Sequence, residues 1–91
     1  MAVIRITRNH HLPRAELRAQ IEPLAREIEE RLHTRCRWDG DTAHFSRTGA
    51  SGTIKLDDEC IAIEIALGLV LSPLKSRVEQ TVNDRLDELL T

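Results

Sequence analysis

The sequence of 91 residues lacks an excess of charge of either sign, because 13 Lys and Arg stand against 15 Asp and Glu, for a net charge of −2. Polyanion binders usually carry a basic excess, so we do not expect nucleic acid as a partner. Long apolar runs are also missing. The longest, residues 65–71, is far too short to cross a bilayer, and the charged start of the chain does not resemble a secretory signal. We therefore expect a cytoplasmic protein that does not bind a membrane.

Cysteine is scarce, with only Cys36 and Cys60 in the chain. No C-x-x-C pair or other short pair with the spacing of zinc ligands occurs, so we expect no metal site. The cytoplasm keeps thiols reduced. We therefore predict that both cysteines are free.

Signatures of catalysis and of repeated or flexible architecture are missing as well. There is no G-x-S-x-G nucleophile elbow, phosphate-binding loop or dinucleotide fingerprint, so we expect no cofactor and no enzymatic activity. The chain has no linker rich in Pro, Gly or Ser and no internal repeat. Its length suits one domain, and we assign residues 1–91 to a single α+β domain.

The most informative segment that is present, residues 60–69, alternates bulky apolar residues with small or polar ones. A period of two is typical of a strand with one buried face. The bulky positions are Ile61, Ile63, Ile65, Leu67 and Leu69. Residues 3–7 show the same pattern and predict a short first strand, with Ile4 and Ile6 on its buried face.

Two segments with helical spacing flank the region of period two. The first begins at Pro13 and carries one apolar stripe to about His33, with a kink expected at Pro23. The second begins with Ser72 as the N-cap and Pro73 at the first helical position, and it runs to the end of the chain. The stripes consist of Leu17, Ile21, Leu24, Ile28 and Leu32 in the first helix, and of Leu74, Val78, Val82, Leu86 and Leu89 or Leu90 in the second.

Three predicted turns divide residues 34–69 into four strands. We place a two-residue turn at residues 39–40, a four-residue turn at 48–51 and a tight turn at 57–58. The pairing that results keeps the apolar side chains on one face. It sets Cys36 opposite Ala43, Trp38 opposite Asp41, Phe45 opposite Ile54, and Ile54 opposite Ile61.

The predicted order is β-α-β-β-β-β-α, an α+β fold with one antiparallel sheet and both helices packed on its apolar face. The predicted core contains Leu24, Trp38, Phe45, Ile54, Ile63 and Val82. The pattern leaves open whether the first strand pairs with the last strand or runs parallel to the second. Because Cys36 falls on the core face and Cys60 on the opposite face, we expect no disulfide bond between them.

The sheet face away from the helices is the first candidate for a binding surface. Small residues on the last strand, such as Ala62 and Ala66, lie there among charged ones, an arrangement that suits an anionic or acyl ligand, or a second copy in a homodimer. A face that simply meets solvent is the alternative. The candidate binding residues are Arg35, Arg37, His44, Lys55 and Glu64.

His10 and His11 precede the first helix and form a second candidate. Anions bind well at helix N-termini, so these residues suggest an anion contact there. The alternative is that one imidazole caps the helix or packs on the edge of the sheet.

Several short motifs resemble those of the polyhydroxyalkanoic acid system protein family. They are residues 8–12, the turn at 38–41, His44 and Phe45 with Arg47 and Gly49, Ser51 and Gly52, and residues 67–74 followed by 77–79. The resemblance extends over essentially the full length. Members are small bacterial proteins named for genes that lie near those of polyhydroxyalkanoate synthesis and granule proteins.

The resemblance implies a function by context. It suggests a non-enzymatic accessory protein in the cytoplasm at storage granules, with the polyhydroxyalkanoate granule or a granule protein as its partner. None of the motifs is a catalytic signature, and they draw attention to His10, His11 and Arg47 without giving a mechanism. The alternative is a generic homodimeric interaction domain or a domain that binds a small acyl ligand.

Overall fold

The computed structural model describes residues 2–90 and has the predicted order β-α-β-β-β-β-α. The α+β class, the single antiparallel sheet and the two helices are confirmed. The elements are β1 (Ala2–Asn9), α1 (Arg14–Leu32), β2 (Arg35–Asp39), β3 (Thr42–Arg47), β4 (Ala50–Leu56), β5 (Cys60–Leu67), a 3₁₀ turn (Ser72–Leu74) and α2 (Lys75–Leu89).

The strand order across the sheet is β1-β5-β4-β3-β2, with every neighbouring pair antiparallel. The position of β1, which the sequence left open, is beside the last strand. The two pair along their whole length, from Ala2 opposite Leu67 to Asn9 opposite Cys60. Strand β2 therefore forms the far edge, because α1 carries the chain across the sheet before the meander begins.

The predicted strand pairs are wrong by two residues in all three hairpins, although the predicted faces are right. Phe45 lies opposite Cys36 and Gly52, and Ile54 lies opposite Ala43 and Ile63. A shift of two residues keeps every side chain on its face because the side-chain period of a strand is two.

Backbone conformation explains the shifts. The first two turns occupy residues 40–41 and 48–49, where Gly40 (φ 59°) and Gly49 (φ 87°) supply the left-handed conformations that tight turns need. The third turn has no glycine, and Asp57 and Asp58 do not adopt positive φ. A longer loop forms there, in which the Asp57 N–H donates to the carbonyl oxygen of Cys60 at 2.9 Å.

The core lies between one sheet face and the two helices, as predicted. The largest fully buried side chains come from both layers, namely Ile4, Leu17, Ile21, Leu24, Leu32, Ile54, Ile61, Ile63, Ile65, Leu67, Val82 and Leu86. The placement of Trp38 in this core is wrong in part. Trp38 is half-buried on the edge strand β2, and the guanidinium of Arg18 lies 4.5 Å from its ring centre, so a cation from α1 covers the indole.

Helix α1 starts after Pro13, which is its N-cap and not its first helical residue, and it continues through Pro23. It ends at Leu32, where His33 takes a left-handed conformation (φ 53°). On its outer side Glu27 contacts Arg31, as the spacing of four predicts, and also accepts a hydrogen bond from Arg85 of α2 at 3.0 Å. This second contact joins the two helices.

The entry to α2 differs from the prediction in two ways. Ser72 is not the N-cap of the helix, because it begins the 3₁₀ turn and its hydroxyl donates to the carbonyl oxygen of Leu69 at 3.0 Å. Leu69 is not a core residue, because β5 ends at Leu67 and the Leu69 side chain is 81% exposed. The chain leaves the sheet at Gly68, whose N–H donates to the carbonyl oxygen of Gly49 at 2.7 Å.

Both cysteines are free and half-buried. Cys36 lies on the helix side of the edge strand, where its N–H donates to a carboxylate oxygen of Glu29 at 2.6 Å, and Cys60 lies opposite Asn9. Burial, together with the negative charge of Glu29, raises the pKa of the Cys36 thiol.

Replacing Phe45 by Ala should lower the free energy of unfolding by about 3–5 kcal/mol, because Phe45 is only 3% exposed and its removal opens a cavity in the core. Urea unfolding followed by tryptophan fluorescence measures the change. Ser46→Ala, on the exposed face of the same strand, is the matched control and should stay within about 0.5 kcal/mol. Equal unfolding midpoints for the two variants would show that the faces of β3 are assigned wrongly.

In a Cys60→Ser background, the rate at which Cys36 is alkylated should rise with pH, because the thiolate is the reactive species. The midpoint of this rise should lie at a higher pH than for a cysteine peptide, because the protein disfavours formation of the thiolate. Glu29→Gln should lower this midpoint part of the way. It removes the negative charge but keeps an oxygen that accepts from the Cys36 N–H, and burial is the larger cause of the shift. A midpoint at or below that of the peptide contradicts the placement of Cys36.

Candidate functional site

The open face is the side of the sheet that the two helices leave uncovered. It collects the alternate side chains of all five strands, which are exposed or half-buried. They are Val3, Arg5, Thr7 and Asn9 of β1, Arg35, Arg37 and Asp39 of β2, Thr42, His44 and Ser46 of β3, Ser51, Thr53 and Lys55 of β4, and Cys60, Ala62, Glu64 and Ala66 of β5.

Strand pairing arranges these side chains in rows across the sheet. The central row runs Arg5, Glu64, Thr53, His44, Arg37. The structure thus places three of the predicted site residues, Arg37, His44 and Glu64, in one row, with Thr53 between the histidine and the carboxylate.

The other two predicted site residues lie in the flanking rows. Arg35 belongs to the row Val3, Ala66, Ser51, Ser46, Arg35, and Lys55 to the row Thr7, Ala62, Lys55, Thr42, Asp39. The five residues therefore share a surface but do not converge on one point. Such an arrangement suits contact with an extended partner more than the binding of one small molecule.

Arg5 also belongs to the candidate site by its position on the open face, and the sequence alone did not single it out. Its guanidinium lies 3.5 Å from the Glu64 carboxylate, and both side chains are largely exposed. The alternation of residues 3–7 placed Arg5 on the face away from Ile4 and Ile6, but the neighbour of β1 was undetermined. Because β1 pairs with β5, Arg5 lies opposite Glu64 and offsets its negative charge. Glu64 is on β5, the strand that also carries Ala62 and Ala66.

The open face is positively charged although the chain as a whole is not. Four cations point to this face, Arg5, Arg35, Arg37 and Lys55, against the carboxylates of Asp39 and Glu64, which gives +2. The net charge of the chain is −2, so the remaining surface carries −4. The open face therefore attracts acidic partners that the rest of the molecule repels.

The centre of the open face is shallow and lined by small or hydroxyl side chains. One depression of about 290 Å³ lies among His44, Ser51, Thr53, Glu64 and Ala66. A broader one of about 730 Å³ borders the edge strand. The side chains that line them offer hydrogen-bond donors and acceptors to solvent.

Neighbouring backbone groups contact both ring nitrogens of His10. The side chain is buried, with 4% exposure. Nδ1 accepts a hydrogen bond from the Leu12 N–H at 3.1 Å, and Nε2 lies 2.5 Å from the Asp57 carbonyl oxygen. Through these partners the ring joins the start of α1 to the β4–β5 loop. These contacts are those expected of a structural histidine, while His11 is exposed.

Arg14 reinforces the same corner. Its guanidinium contacts Asp41 in the β2–β3 turn and donates to Asp58 in the β4–β5 loop at 2.9 Å. Hydrogen bonding to Arg14 lowers the pKa of Asp58, and the two carboxylates raise the pKa of Arg14. The helix start and two turns are thus tied together at the end of the sheet that carries most of the loop acids.

Two other features of residues 2–90 bear on the kinds of site that this part of the chain forms. No group of three or more His, Cys, Asp and Glu side chains in this range is arranged to hold a metal ion. Neither helix of the described chain is long and apolar enough to cross a membrane.

A comparison with protein-family models matches residues 4–90 to the family described as Putative polyhydroxyalkanoic acid system protein. The chain belongs to this family. The comparison with curated proteins found no match, and neither did the comparison with solved structures. Membership connects the protein with the polyhydroxyalkanoate system and confirms the resemblance noted in the sequence.

His10→Ala should lower the free energy of unfolding by about 1–3 kcal/mol, because it leaves a backbone N–H and a carbonyl without their partner. Thermal or urea unfolding measures the loss. His11→Ala is the matched control, since its side chain is exposed, and should stay within about 0.5 kcal/mol. Similar effects of the two substitutions would refute the structural role of His10.

Proposed function

We propose that this member of the polyhydroxyalkanoic acid system family is a non-enzymatic accessory protein that acts at polyhydroxyalkanoate granules in the cytoplasm. It binds there through the open face of its sheet. Family membership supports the connection with the granule system. The partner is the granule itself or a protein on it.

The observation that carries the choice of surface is the uneven distribution of charge. The open face has net +2 within a chain of net −2. Both helices pack on the other side of the sheet, so the side chains of the open face are not needed to fill the core. Exposed charges contribute little to folding, which leaves Arg35, Arg37 and Lys55 available for a partner.

The absence of catalysis is also part of the proposal. Glu64 is the one carboxylate in the central row, and it contacts Arg5 in a solvent-exposed position. His44 stands across Thr53 from it, and its side chain is exposed to water. General acid–base catalysis needs a base positioned against a reacting group in a site that controls water, and this face offers contact area instead.

A homodimer through the open face is the second candidate. Ala62 and Ala66 on β5 permit close approach of another backbone, and Val3 exposes apolar surface beside Ala66. Sedimentation equilibrium tests it, with Ala66→Arg as the variant that should dissociate such a dimer. A monomer at high micromolar concentration contradicts the dimer and leaves the granule proposal unchanged.

A fluorescent fusion of the protein should label granules in polyester-accumulating cells. The triple variant Arg35→Ala, Arg37→Ala and Lys55→Ala should become largely diffuse while its melting temperature changes little. Fluorescence microscopy gives the labelled fraction, and thermal unfolding of the purified variants gives stability.

The matched control removes three exposed cations from the helix layer, Arg26, Arg31 and Arg85, so the loss of net charge is equal. We expect the control to keep more granule label than the open-face variant. Diffuse fluorescence of the parent protein, together with normal granule number and size after deletion of its gene, would contradict the proposed function. Equal loss in both triple variants would show that total charge matters and that the open face does not.

A further inference from the structure

The loop between β5 and α2 presents two consecutive large apolar side chains to water. Leu69 is 81% exposed and Val70 is 89% exposed. Together with Val3, at 39%, they are the exposed large hydrophobic residues of the described chain, and Val3 pairs with Ala66 near the same end of the sheet. We call Leu69 and Val70 the apolar tip.

The apolar tip is held in place by hydrogen bonds on both sides. The Gly68 N–H donates to the Gly49 carbonyl oxygen at 2.7 Å, and the Leu71 N–H donates to the Gly68 carbonyl oxygen at 3.1 Å. The Ser72 hydroxyl donates to the Leu69 carbonyl oxygen at 3.0 Å. Leu71 itself packs against the core. The exposure of the tip is therefore built into the turn and does not result from a frayed strand end.

The helix that follows the tip has the wrong charges for its own stability. Lys75 and Arg77 occupy the first turn of α2, which has no acidic residue, and residues 65–78 contain no Asp or Glu. Cations at a helix N-terminus oppose the helix dipole. In α1 the arrangement is favourable, with Glu16 in the first turn and Arg31 in the last. Local choices that work against folding are expected where a surface has another use.

We propose that the apolar tip inserts into the polyester surface of the storage granule, with Lys75 and Arg77 beside it binding the carboxylates in which polyester chains end. This inference rests on the proposed function and names the residues that contact the polyester itself. Alkyl groups of the polyester match Leu69 and Val70, and its carboxylate ends match the two cations. A second copy fits less well, because tip-to-tip contact would bring the cations of both copies together.

The direct test is co-sedimentation of the purified full chain with bare poly-3-hydroxybutyrate particles. Each inserted side chain should contribute about tenfold or more to the partition coefficient, so Leu69→Ser with Val70→Ser should nearly abolish binding. The matched control exchanges the two residues, Leu69→Val with Val70→Leu. It keeps the apolar surface and should bind within about threefold of the parent.

Charge reversal separates binding from folding. Lys75→Glu with Arg77→Glu should weaken binding to the particles, most strongly at low salt, while the melting temperature stays equal or rises because the helix dipole favours acids there. A merely structural role for these residues would move the melting temperature and binding in the same direction. Unchanged binding would overturn the role of the cations.

Two results would overturn the insertion. One is parent-like binding of the Leu69→Ser, Val70→Ser protein to the particles. The other is tighter binding of the parent to vesicles with phosphatidylglycerol than to the particles, which would assign the tip to a lipid membrane.

The cell experiment distinguishes this inference from the proposed function. If the Leu69→Ser, Val70→Ser variant still labels granules, the proposed insertion of the apolar tip is wrong and the proposed function at granules stands. If the parent protein binds bare particles through the apolar tip but is diffuse in cells, the insertion into polyester is supported and the proposed function at granules is wrong.

Discussion

Each strand of this sheet directs its bulky side chains to one face, and that face must be covered for the chain to fold. Isoleucines of β1, β4 and β5 form the centre of the covered face, and the apolar stripes of α1 and α2 close over it. Burial of each large side chain supplies about 1.5–3 kcal/mol, which makes this layer the main source of stability. Because both helices are used on one side, the other side of the sheet is left to water and to partners.

The charges follow this division of the molecule. Loop acids near one end of the sheet are engaged by Arg14, and the buried ring of His10 joins the start of α1 to the β4–β5 loop. The open face carries positive charge, and the apolar tip lies at the end of β5. The chain belongs to the polyhydroxyalkanoic acid system family, and we propose these surfaces for its contact with a granule.

Periodicity predicted the elements and their faces because a strand's side chains alternate whatever its partner is. It did not predict the partners, since a shift of two residues preserves the faces and only the backbone at Gly40 and Gly49 decides the turn. The five predicted site residues lie on one surface, as alternation required. Arg5 and the apolar tip were missed, because the first depends on which strand β1 joins, and the second on where β5 leaves the sheet at Gly68.

The central proposal is that the open face of the sheet faces the granule, and an environment-sensitive dye tests this most directly. The dye is attached at Ser51→Cys, in the middle of the open face, or at Glu30→Cys, on the exposed side of α1, in a background of Cys36→Ser and Cys60→Ser. Addition of isolated granules should shift the emission of the Ser51 probe to the blue and leave the Glu30 probe unchanged. A shift in the emission of the Glu30 probe alone would contradict contact through the open face. So would the absence of a shift at both positions while the protein co-sediments with granules.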